Sequence, residues 1–134
     1  MSGEGGAVLR LALALCLLAW PSWAQEIDCS RAVAQVELTF CAEADRIAAD
    51  AELNAAYKAA LEVMKRVDAD LASGDRAAEK FLRQAQRDWV SFRDNACAAE
   101  AYWMHGGSAE PMVIYGCRAR LTEERVLGLY YLTE

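Results

Sequence analysis

Residues 78–103 read AEKFLRQAQRDWVSFRDNACAAEAYW, and their apolar side chains recur at Ala78, Leu82, Ala85, Trp89, Phe92, Ala96, Ala99 and Trp103. An α-helix closes a turn every ~3.6 residues, so steps of four and three draw one stripe along a helix that packs lengthwise on a neighbour. Asp75 ahead of the stretch and Glu79 within its first turn suit a helix N-terminus, where negative charge meets unpaired N–H groups. Trp89 and Phe92 fall on the stripe and are assigned to the core. Arg93 follows Trp89 by one helical turn, which places it to cover the indole and reach an acid on a preceding helix. Asp94, the next residue along, is expected to face another way.

Turn signals flank this helix on both sides. Ala72-Ser73-Gly74-Asp75 precedes it and Gly106-Gly107-Ser108-Ala109-Glu110-Pro111 follows it. Upstream, Val33, Val36, Phe40, Ala44, Ile47, Ala51, Asn54, Tyr57, Leu61 and Met64 recur in threes and fours and predict a first helix. Asn54 on that stripe reads as a polar group that fixes register inside a seam. Downstream, a third helix is expected over residues 109–132. Its end, Val126-Leu127-Gly128-Leu129-Tyr130-Tyr131-Leu132, is apolar on most sides and predicts burial between the other two. No stretch alternates at strand spacing. The fold class is therefore all-α: a small antiparallel bundle of about three long helices.

The leader sets the cellular context. Leu11 to Ala19 is an unbroken apolar run, Pro21 breaks it, and Ser22-Trp23-Ala24 carries small residues where a signal peptidase reads. Residues 1–24 thus predict a secretory signal peptide, and residues 25–134 one mature domain. The run is too short for a transmembrane helix, which needs ~20 apolar residues, so no stable membrane anchor is expected after cleavage. Cys16 sits inside the run, away from where a lipid-modified cysteine would stand. A periplasmic or secreted product follows.

Four cysteines remain after cleavage: Cys29, Cys41, Cys97 and Cys117. An even number in an exported chain predicts two disulfides. Folding back about Gly106-Gly107 brings Cys97 and Cys117 level on neighbouring helices. Folding about Ser73-Gly74 sets Cys97 level with Asp50 and leaves Cys41 more than ~10 Å short at ~1.5 Å per residue. Cys29–Cys41 with Cys97–Cys117 is therefore preferred. The nested pairing, Cys29–Cys117 with Cys41–Cys97, stays open if the turns are longer. Zinc is disfavoured, because the sequence has no CxxC pair and His105 is its only histidine; no cofactor is expected.

The chain carries a formal charge of −6, which removal of the leader leaves unchanged, since the leader holds one Glu and one Arg. That sign repels nucleic acid and anionic lipid and favours basic proteins. Nucleophilic catalysis needs an activated nucleophile beside a base. Paired cysteines and one histidine, placed where a helix runs into glycines, do not supply one. Asp50, Glu52, Asp88 and Glu100 read as solvated or i,i+4 partners of nearby Arg and Lys rather than a glycosidase pair. Gly106-Gly107 lacks the spacing of a phosphate loop. The composition points away from an enzyme.

Several blocks carry a family likeness. Asp50-Ala51-Glu52-Leu53-Asn54-Ala55-Ala56-Tyr57, then Ala85-Gln86-Arg87-Asp88-Trp89-Val90-Ser91-Phe92-Arg93-Asp94-Asn95-Ala96-Cys97, resemble two signature blocks of the LprI-like lysozyme-inhibitor domain family. Gly106-Gly107-Ser108, Cys117 and Leu121-Thr122-Glu123-Glu124-Arg125 look like its closing elements. The likeness covers nearly the whole mature chain in order. One departure is Ala34, where many members open the first helix with Thr; the missing cap could cost ~1 kcal/mol and shift the helix start. The resemblance implies an exported bacterial helical domain. In it Asp50, Leu53, Asn54, Tyr57, Trp89, Phe92, Arg93, Asp94, Leu121 and Arg125 build the core.

Two functions are then expected. The first is an envelope protein that binds a basic lysozyme and inhibits it through protein–protein contact. Its contact residues would be His105, Gly106, Gly107, Ser108 and Glu110 on the second turn. The alternative is a structural or interaction module of the periplasm that binds another envelope protein without inhibiting lysozyme. Tyr102, Trp103 and Met104 before the glycines are assigned to core packing, with an exposed apolar patch as the competing reading.

Overall fold

The computed structural model describes residues 26–134. The expected signal peptide and its cleavage site lie outside them. Three helices follow one another: α1 (Gln35–Asp70), α2 (Ala78–Ala101) and α3 (Glu110–Tyr130), with a single 3-10 turn (Tyr102–Met104) closing α2. Among the described residues there is no strand, and no helix is long and apolar enough to cross a membrane. The chain runs up, down and up, so α1 and α3 lie parallel and α2 opposes both. Gln35 at the start of α1 touches Met112 at the start of α3, while Leu53, Ala56, Ala60 and Leu61 meet Leu82 of α2 and Val126 and Leu129 of α3. This all-α antiparallel bundle has both disulfides in the preferred pairing, Cys29–Cys41 and Cys97–Cys117.

The phase of the helices corrects the sequence reading. On α1 the buried residues are Ala49, Leu53, Ala56, Ala60 and Leu61, while Val36, Phe40 and Ile47 are exposed and so are Ala44, Ala51 and Asn54. Asn54 therefore faces solvent and fixes no register inside a seam. The predicted stripe stepped by three too often. From Phe40 to Met64 it slips about 120° around a helix of 3.6 residues per turn, so its early members point away from the face that Tyr57, Leu61 and Met64 share. On α2 the inward residues are Leu82, Trp89, Arg93, Cys97 and Ala101. Phe92 lies one position off this line and is 60% exposed, and Trp103 is 75% exposed; neither packs in the core. At the end of α3, Val126 and Leu129 are buried, but Leu127, Tyr130 and Tyr131 face out.

The helix ends also differ from expectation. Asp75 does not cap α2. The carboxylate of Asp68, near the end of α1, accepts from Ala78 N–H at 2.8 Å and Glu79 N–H at 3.0 Å. These two backbone bonds hold its carboxyl below the usual range. A helix start has four unpaired N–H groups, and here the preceding helix satisfies two of them. At α1 the absent threonine is offset from the other side. Ala34 is the N-cap, and Glu37 Oε2 accepts from the N–H groups of Val33 and Ala34 at 3.2 Å each.

Candidate interaction site

Four of the motif residues, Asp50, Trp89, Arg93 and Asp94, meet in a polar knot at mid-height of the bundle. Arg93 Nη1 donates to Asp50 Oδ1 on α1 at 2.8 Å and to Thr122 Oγ1 on α3 at 3.2 Å. Its Nε donates to Asp94 Oδ1 at 3.0 Å, and its guanidinium lies 5.2 Å from the centre of the Trp89 ring. Covering Trp89 while reaching an acid on α1 is the geometry expected of Arg93. Asp94 faces solvent more than Arg93 does, and the long arginine side chain folds back to reach it. Asp50 also accepts from Arg46 at 2.9 Å, Arg46 stacks 5.6 Å from the Tyr115 ring, and Arg118 pairs with Asp94 at 3.3 Å. With an Arg93 side chain only 12% exposed and Thr122 fully buried, the knot ties the three helices together. Its centre is a scaffold, while Asp50, Asp94 and Arg118 at its edge stay partly exposed.

Sequence reasoning missed Arg46, Tyr115, Arg118 and Thr122 in this knot. Arg46 stands four residues before Asp50, a legible helix pairing. Thr122 sits inside the quoted Leu-Thr block without a role assigned. Arg118 and Tyr115 carry no local signal. Of the other motif residues, Leu53 is buried, Tyr57 and Leu121 are half-buried, and Arg125 Nε donates to Gln86 at 3.1 Å.

The second turn is built tightly enough to present a fixed surface. Gly106 has φ 77°, a left-handed conformation that L side chains rarely adopt. A Cβ at Gly107 would stand 3.0 Å from the Met104 carbonyl oxygen, the atom that accepts the Gly107 N–H at 2.9 Å. The backbone thus favours glycine at 106, and a side chain at 107 would press on the Met104 carbonyl by a few tenths of an ångström. Glu110, in the first turn of α3, accepts from Gly106 N–H at 2.8 Å and meets His105 Nδ1 at 3.0 Å. The His105 hydrogen bond, with that of Gly106, lowers the Glu110 pKa. The His105 ring stacks on Tyr102 with centroids 4.9 Å apart and planes 9° from parallel. His105, Gly106, Gly107 and Ser108 are exposed while Glu110 is half-buried beneath them. Tyr102 and Trp103 stand out beside them as an aromatic edge, so the patch reading holds there and the core reading does not. Among the described residues no group of three or more His, Cys, Asp or Glu could hold a metal.

Comparison with known proteins places these features. An uncharacterized protein of Rhizobium meliloti (strain 1021) is 43% identical over 133 residues, which cover 96% of this chain and 95% of that protein. No solved structure gives a significant match. The family model described as "Lysozyme inhibitor LprI" matches residues 28–129, from beside the first disulfide cysteine to the last buried leucine of α3. The chain belongs to the LprI lysozyme-inhibitor family.

Proposed function

We propose that this chain is an exported envelope protein that inhibits a lysozyme-type muramidase by protein–protein contact, with the α2–α3 turn as part of the contact. Family membership over residues 28–129 is the observation that carries the reading. The turn supports the surface, because the left-handed Gly106, the Glu110 bonds and the Tyr102–His105 stack preset its backbone and two of its rings beside the exposed Trp103. A preset aromatic edge loses little conformational entropy on binding. The acidic surface favours encounter with a basic enzyme. The family gives inhibitor character; this chain's export, its partner and its contact residues are parts of the proposal.

A lytic assay of a basic lysozyme, with and without the purified oxidised domain of residues 25–134, tests it. Inhibition is expected, and Trp103→Ala should weaken it by about tenfold, the scale of an aromatic hot spot. No inhibition at large molar excess rejects the activity. Mass analysis of the product from an envelope fraction should find an N-terminus at Gln25.

A further inference from the structure

Most of the bulky apolar residues left uncovered on α1, with Val33 just ahead of it, gather where the charge is densest. Residues 26–52 hold seven carboxylates against Arg31 and Arg46, a net of −5 out of −6 for the whole chain. Within this segment Val33 is 86% exposed, Val36 73% and Phe40 50%. Two open grooves meet at Val36. One, of about 570 Å³, runs between the segment before α1 and the helix start; Ile27, Val33 and Val36 form its apolar part, with Glu26, Asp28, Glu37 and the single cation Arg31 around them. The other, of about 550 Å³, runs from Val36 and Phe40 past Glu43 to Ser108 of the α2–α3 turn. The Cys29–Cys41 bond fastens the segment that forms one wall, so the grooves exist before any partner arrives.

From this arrangement we infer that the double groove on the first half of α1 is the docking site for a cationic protein, which sets lysine or arginine against the acidic rim and an apolar side chain against Val36 and Phe40. Charge selects this occupant. A second copy would bring −5 against −5, and a nucleic acid or an anionic membrane would meet the same repulsion. Uncovered apolar residues inside a charged rim are the layout of an interface centre and edge. The inference rests on the inhibitor reading for the identity of the partner and extends the contact from the α2–α3 turn, through Ser108, onto α1.

Amide NMR mapping of the oxidised 25–134 domain tests it with two separate probes, a basic lysozyme and the basic, non-lytic cytochrome c. Lysozyme should perturb residues 26–47 together with Ser108. Val36→Ser with Phe40→Ser, or Glu43→Lys alone, should weaken binding by about tenfold or more. These positions are surface-exposed or half-buried, so an unchanged melting temperature is the control for folding, and Phe81→Ser on α2 should bind as the parent does. Lysozyme binding that maps elsewhere, or that survives both sets of variants, overturns the groove and leaves the inhibitor reading standing. Cytochrome c bound in the groove with lysozyme unbound supports the groove and rejects the inhibitor reading. Binding of neither overturns both, and concentration-dependent self-association through residues 33–47 overturns the cationic partner in favour of a second copy.

Discussion

Arg93 shows how one side chain can organise a small bundle. It reaches Asp50, Asp94 and Thr122 while lying over Trp89, so each helix is fixed relative to the other two through a single guanidinium. Removing one member of such a pair leaves the others desolvated and uncompensated, which costs more than the pair contributes. Arg93→Met is expected to destabilise the domain by about 2–3 kcal/mol, read as a lower urea midpoint. Arg93→Lys should cost about half as much, because a single ammonium cannot span the three acceptors. Equal stability of Arg93→Met and the parent would remove the knot from the account of the fold. This much was legible in the sequence: one turn separates Arg93 from Trp89, and an acid on the preceding helix was a foreseeable partner. The bond to Asp94 was not foreseen, because helical phase describes where a Cβ points, and an arginine side chain is long enough to return across that angle.

At the scale of the helix, α2 was readable in outline and α1 only in its second half. The core face of α1 is largely alanine, at positions 49, 56 and 60, and alanine contributes little to any apolar pattern. The bulky Val36, Phe40 and Ile47 carry the visible apolar period on a face that no other helix covers. Small residues there let α3 approach closely, and periodicity alone cannot tell a packed face from an uncovered one. The ends were harder still, since α2 takes its cap from Asp68, ten residues before Ala78 in sequence. Because the folded carboxyl has a pKa below its ordinary 3.8, its contribution is complete above that value and is lost as pH falls through the lowered one. Asp68→Asn should therefore flatten the acid limb of a stability–pH profile while leaving a weaker neutral-pH cap, and Asp68→Ala should remove both. A parent-like acid limb in Asp68→Asn would show that the cap does not titrate with folding.

Across the whole molecule, the apolar cluster, the polar knot and the uncovered α1 face are arranged in sequence along the bundle. Leu53, Leu61, Leu82, Val126 and Leu129 fill the end nearer the α1–α2 turn; Cys97–Cys117 lies beyond the knot, nine-tenths or more buried. The other disulfide has an exposed member in Cys29. Under mild reduction Cys29–Cys41 should open first, releasing the groove wall while helical circular dichroism persists, and Cys97–Cys117 should resist until global unfolding. Alkylation with mass mapping distinguishes the two bonds. Replacing Cys97 and Cys117 together by alanine should cost about 3 kcal/mol. The pairing itself was foreseeable from level positions about two turns, because rods of known rise leave few cysteines within reach of one another.

The up-down-up path sets residue 26 beside the groove and carries Glu134, past the end of α3, away from it along the bundle. A surface, bead or fluorophore attached through Glu134 thus leaves the acidic pole free to meet an analyte. The same handle fused ahead of residue 26 would shade that pole and could make a competent protein look inert.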